Sequence, residues 1–244
     1  MRFFLGLLAL FILPGSVLAF WDSLLDIAGN KDLWVPLVVG FATGIPLWFT
    51  VIKKIPWIST FEHELTHAIV ALLFFRRIHR FIVTSKRGGE VHYSGNFGGE
   101  FGTLLIGLAP YYLPTFTLIT VLARPFLPAG WFPWFDGFIG FTLAFHLFST
   151  LEETKLSWTK QSFASAGNNQ KTKSDIGKVG YVLAFLVIMG FGVFLLGLAL
   201  QLIGAGYAGA WPYLKQTGIV SYEVYADLTR ETVTTLTPMV KKWF

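Results

Sequence analysis

Apolar residues along this chain come in long, nearly unbroken runs joined by short segments rich in polar residues, glycine or proline. Such a run has no polar face to turn toward water, so each predicts an element surrounded by lipid or protein. Residues 3 to 19 form the first run, behind Arg2, and Ser16-Val17-Leu18-Ala19 offers the small residues at which a signal peptidase cuts. With an acidic connector (Asp22, Asp26, Asp32), residues 1–32 read as a signal peptide or a first membrane helix. Leu33 to Ile52 is a twenty-residue run, long enough to cross a bilayer core, and Lys53 and Lys54 end it. Ser59 to Arg77 predicts a helix, with Ser59 as its cap, Glu62 three residues on as in a capping box, and Pro56 just upstream. Phe81 to Val83 and Glu90 to Tyr93 predict two short strands around a turn at Lys86-Arg87-Gly88-Gly89, a hairpin at the membrane surface. The span Gly102 to Ala123 is interrupted at Leu108-Ala109-Pro110-Tyr111-Tyr112-Leu113-Pro114, where two prolines withhold backbone donors. An aromatic turn, Pro125 to Asp136, leads into the span Gly137 to Leu151, and the polar stretch Leu151 to Lys173 predicts a loop. Asp175 stands at the mouth of the last span, Ile176 to Ile203. The tail, 204–244, is weakly amphipathic and is expected to lie on the membrane or fold back on it.

Composition turns these runs into a class. Charged residues are only 14% of the chain and hydrophobic ones 54%, with a mean hydropathy of +0.59, against roughly 25% charged in a soluble domain. The fold class expected is an all-α polytopic membrane protein of about five to six hydrophobic helices with a small β-hairpin, its membrane-embedded core spanning 33–203. The net charge of +5 reads as topology rather than as a nucleic-acid footprint, because the basic residues gather at the ends of apolar segments. Segments 76–87 and 155–178 carry five Lys or Arg each, whereas Arg124 alone lies in the connector between the spans that separate them. Both basic loops are therefore expected on the cytoplasmic side, in a bacterial cytoplasmic membrane. The absence of cysteine leaves His, Asp and Glu as metal ligands.

The chemistry concentrates in His63-Glu64-Leu65-Thr66-His67. Two histidines four apart project from one helix face a turn apart, as a tetrahedral zinc asks, and Glu64 on the flank is placed to take a proton from an activated water. Chance matches of this pattern at this composition are on the order of half a percent. A catalytic zinc keeps three protein ligands. The extended form of the motif fails, since Val70 and Leu73 occupy the positions where its glycine and third histidine would stand, and Glu90, the nearest downstream glutamate, falls in a predicted strand. Asp175, His146, Glu152 and Glu153 remain as candidates. His146 is an ionisable residue in a membrane span and so a candidate for a role near the zinc. Asn96 is a candidate to hydrogen-bond a substrate strand, Pro110 marks a break that would give the site room, and His79 and His92 read as surface groups.

The motif, the short run to a basic hairpin, the proline-containing Leu-Ala-Pro span and Ser174-Asp175-Ile176 at the head of a later helix resemble the site-2-protease-like intramembrane zinc metallopeptidases, in a shorter branch without a PDZ domain. The resemblance implies one zinc ion held by His63, His67 and Asp175 with Glu64 as general base, acting on membrane protein substrates. The chain departs from better-studied members in having Ser-Asp-Ile around the aspartate and Thr66 before the second histidine. Two other classes share these features: an inactive membrane scaffold or regulator on the same fold, and a zinc transporter, for which acids and histidines would be spread over several spans. Oligomeric state and substrate identity are not encoded in any motif here.

Overall fold

The computed structural model describes residues 2–84, 88–164 and 175–240, with residues 156–164 and 233–240 described by their backbone only. The described residues are mostly helical, with one two-stranded antiparallel hairpin among them. Among the described residues, three helical segments are long and apolar enough to cross a membrane, four if a bent pair counts as one span.

α1 (Arg2–Ala28) runs unbroken through Pro14 and through the small-residue stretch, and Leu5, Ala9, Ser16 and Ala19 on it are fully buried. α2 (Lys31–Thr50) starts at Asn30, whose side-chain oxygen accepts from the Asp32 N–H. These helices are held by contact of backbone on backbone. A Cβ at Gly40 would lie 1.7 Å from the carbonyl of Gly137, one at Gly140 2.0 Å from that of Leu37, and one at Gly15 2.0 Å from that of Thr217. Lipid gives helices no hydrophobic reason to associate, so close approach at small residues, with its dispersion gain, holds them.

α3 (Pro56–Leu73) carries the histidine motif and differs from the expected start. Pro56 takes the first helical position, where its missing N–H costs nothing, and Ile55 precedes it. Ser59 lies inside the first turn and donates to the Pro56 carbonyl, while Glu62 is buried elsewhere, so there is no capping box. The helix ends in a Schellman turn: Arg76 N–H donates to Ala71 O and Phe75 N–H to Leu72 O, which puts Phe75 in left-handed conformation at φ 49°. The chain then enters β1 (Arg77–Thr84), paired with β2 (Gly88–Ser94). Strands therefore form where a hairpin was expected, several residues longer, and the centre of the turn, 85–87, lies outside the described residues. Buried Arg76 ties the hairpin to the next helix by donating to Gly99 O and Thr103 Oγ1 with its guanidinium over Tyr93.

α4 (Gly99–Tyr112) and α5 (Thr115–Ala123) are the two halves of the interrupted span, bent by 80° across Leu113 and Pro114. At the far end Arg124 grips fully buried Asp136 with both Nε and Nη2, and its guanidinium lies over the Phe132 ring, which locks α5 to α6 (Phe132–Ala164). α6 corrects the expected loop: the helix continues from the span to Ala164, because Glu152 to Ala164 holds no proline or glycine to stop it. Residues 165–174, the rest of that stretch, lie outside the described residues. α7 (Asp175–Val179) is a short turn of helix that Gly180, at φ 103°, sets off from α8 (Tyr181–Ala205). α9 (Ala210–Val240) folds back along α1.

Candidate metal centre

Three elements distant in sequence meet at the motif helix. α3 presents His63 and His67 one turn apart, the bent span supplies Ile106 and Tyr111 from α4, and α7 brings Asp175 beneath them. Nε2 of His63 lies 3.2 Å from Nε2 of His67, and the Oδ2 of Asp175 lies 3.9 Å and 3.7 Å from the two. The circle through a triangle of these sides has a radius of about 2.1 Å, which is the reach of zinc to nitrogen and oxygen ligands, roughly 2.0 to 2.2 Å.

The donor pattern around the triangle says what belongs at its centre. Nδ1 of His67 donates to the Ile106 carbonyl at 2.7 Å, and Nδ1 of His63 donates to Oε2 of Glu153 at 2.6 Å. Neither partner can donate in return, so both neutral imidazoles keep their proton on Nδ1 and turn a bare Nε2 lone pair inward. Asp175 is fixed in turn by Lys178, whose Nζ donates to Oδ1 at 2.8 Å and leaves Oδ2 for the triangle. With both rings neutral, two lone pairs and a carboxylate oxygen converge on one point, an arrangement that is repulsive without a cation and favourable around one. The residues present fit zinc.

Glu64 is buried beside the triangle, within electrostatic reach of His63, His67 and Asp175. β2 passes directly over it: a Cβ at Gly89 would stand 2.2 Å from the Glu64 Cγ, so only glycine allows the strand to lie there. Thr66, between the histidines, donates to Glu62 O and meets Thr115 Oγ1, which pins the motif helix to the head of α5.

The other expected residues separate into those that reach the site and those that do not. Pro110 lines a small polar cleft beside His63 together with Tyr111, Glu62, Ser149 and Glu153, so the break in the span does face the site. His146 is buried but lies behind it, with Nδ1 donating to Glu62 Oε1 at 3.2 Å, while Ser149 Oγ donates to Glu62 Oε2 at 3.3 Å. Glu62 thus joins α3 to α6. Glu152 turns away to pair with Lys53 at 3.3 Å. Glu153, one of the candidate third ligands, lies instead against the outer nitrogen of His63 and is the carboxylate that orients that ring. Asn96 is an exposed loop residue whose carbonyl accepts from Gly99 N–H, and among the described residues nothing joins its side chain to the triangle. His79 and His92 pair with Ser94 and Glu90 on the hairpin surface.

Residues 36–153 match the protein-family model described as Peptidase M50B-like. The matched segment holds the motif helix, the hairpin, the bent span and Glu153, and it stops before Asp175. No curated protein and no solved structure matches the chain.

Proposed function

We propose that this chain, whose residues 36–153 belong with the site-2-protease-like M50B peptidases, is a membrane-embedded zinc metalloprotease that hydrolyses peptide bonds in or near the membrane segments of other proteins. The observation that carries the reading is the triangle of His63 Nε2, His67 Nε2 and Asp175 Oδ2, with both outer ring nitrogens facing acceptors. A zinc ion held there supplies a Lewis acid that polarises a carbonyl and lowers the pKa of water.

The chain's own residues do the rest. Glu64, outside the triangle, takes the proton of the attacking water and delivers it to the leaving amine. The Glu153 carboxylate and the Ile106 carbonyl hold the two imidazoles in one tautomer and orientation, which raises their basicity as ligands. The polar cleft lined by Ser149, Glu153 and Glu62 gives water a polar lining next to the site. A helical peptide bond is shielded by its own hydrogen bond, so the substrate segment has to unwind, and the hairpin offers strand edges that can hold it extended. The topology that goes with this reading puts segments 76–87 and 155–178 in the cytoplasm.

The test is metal analysis of purified wild type and His67→Ala beside a cleavage assay on a model transmembrane substrate. One zinc per chain and turnover, both lost in His67→Ala, is the expected result. Zinc without proteolysis favours the inactive scaffold on the same fold, and vectorial zinc uptake into vesicles favours the transporter.

A further inference from the structure

The outer face of α9 carries charge at the depth of the bilayer centre. The depth follows from register. In α1 no charged residue stands between Arg2 and Asp22, and the nineteen residues between them span about 28 Å, the thickness of a hydrocarbon core, with Ile12 at the middle. α9 runs antiparallel to α1, and three contacts set its level: Gln216 Nε2 donates to Asp22 Oδ2 at 2.6 Å, Gly15 N–H to Ser221 Oγ at 3.1 Å, and Tyr225 OH to Leu10 O at 2.7 Å. Gly15 and Leu10 bracket Ile12 as Ser221 and Tyr225 bracket Glu223. Glu223 therefore lies level with the membrane midplane.

Glu223 is exposed and has no hydrogen-bond or ion-pair partner among the described residues. One turn further on, Asp227 is exposed and satisfied by Arg230 at 3.5 Å. An ionisable side chain facing lipid at that depth is strongly disfavoured, and such residues face a protein interior or a partner. A lipid headgroup does not reach the midplane. A second copy is a poor partner, because two copies in one membrane share a topology, and a twofold pair would set α9 beside α9 in parallel with Glu223 against Glu223. A helix of another protein with a cation or amide at the same level satisfies the carboxylate.

We propose that the outer face of α9, centred on Glu223, docks a transmembrane helix of another membrane protein through a lysine, arginine or amide side chain near the bilayer midplane. This does not depend on the metal site. The chain has no cysteine, so a spin label on Glu223→Cys reports depth directly. Oxygen accessibility far above that of a water-soluble nickel complex is expected, and the reverse order would overturn the proposal. For binding, the full chain reconstituted in phosphatidylcholine vesicles is titrated with synthetic polyleucine transmembrane peptides that carry one central lysine or none, read by energy transfer. The lysine peptide should bind at least tenfold more tightly, and Glu223→Leu should remove the difference. Glu223→Lys should reverse the preference toward a peptide with a central glutamate, which separates docking from a misfolded α9. Equal binding of the two peptides, a preference that survives Glu223→Leu, or self-association lost in that variant would each overturn it.

Discussion

Gly89→Ala is the substitution by which the strand over Glu64 can be tested. The new Cβ would stand 2.2 Å from Cγ and 2.7 Å from both Cδ and Oε1 of Glu64, where ordinary contact begins near 3.4 Å. Something must give by about 1.2 Å, and the carboxylate end of Glu64 is the movable partner, since β2 is fixed by its ladder to β1. Misplacing a catalytic group by about 1 Å costs on the order of 100-fold in rate, close to 2.7 kcal/mol of barrier. The three atoms nearest that Cβ all belong to Glu64 and none to a histidine or Asp175, so zinc should stay bound. The assay is kcat on a model substrate together with zinc content, with Gly107→Ala as the control because nothing lies within 4 Å of that position. A fall of about 100-fold in kcat with KM and zinc near wild type is expected. Wild-type turnover in Gly89→Ala with zinc bound would refute the placement of Glu64 as the base.

Glu64→Gln should keep fold and zinc while turnover disappears, because the group acts on water and not on the metal; loss of zinc would show the role is wrong. Glu153→Gln replaces the charge that orients His63 and should weaken zinc affinity by about 10- to 100-fold, measured by competition with a chelator. Phe75→Gly should stabilise the chain by about 1 kcal/mol, since a phenylalanine held at φ 49° carries a strain that glycine lacks; unfolding midpoints in detergent report it. Reporter fusions after Lys86 and after Lys160 should both read cytoplasmic, and opposite readings would separate Asp175 from the motif helix.

What could be read in the sequence follows from how local each signal is. His63 and His67 declare themselves because one helix turn brings them together, and the break at Leu108 to Pro114 because proline has no N–H to give. Glu153 hid in plain view: beside Lys155 and Glu152 it looks like one more solvated charge, and only the packing of α6 on α3 shows that it faces His63 while its neighbour faces Lys53. Glu62 misled in the other direction. It stands at capping-box spacing from Ser59, yet Pro56 starts the helix a turn earlier and leaves Glu62 to join His146 and Ser149 between two helices. The extent of α6 was masked by the polarity of Leu151 to Lys173, because leaving the membrane changes a helix's composition without ending it. The Ile106 carbonyl that fixes His67 has no sequence signal at all, being a backbone group.

The glycine contacts set how much play the whole frame has. Side chains can rotate to absorb an ångström of error, but the backbones of Gly40 and Gly137, or of Gly140 and Leu37, are already touching and have nothing left to compress. A metal site tolerates errors of about 0.2 Å in its ligand distances, and the candidate site here is assembled from helices more than a hundred residues apart in the chain. Its tolerance is therefore set far from the ligands, at seams with no chemistry of their own, much as the accuracy of an instrument lies in its bearings and not in its pointer.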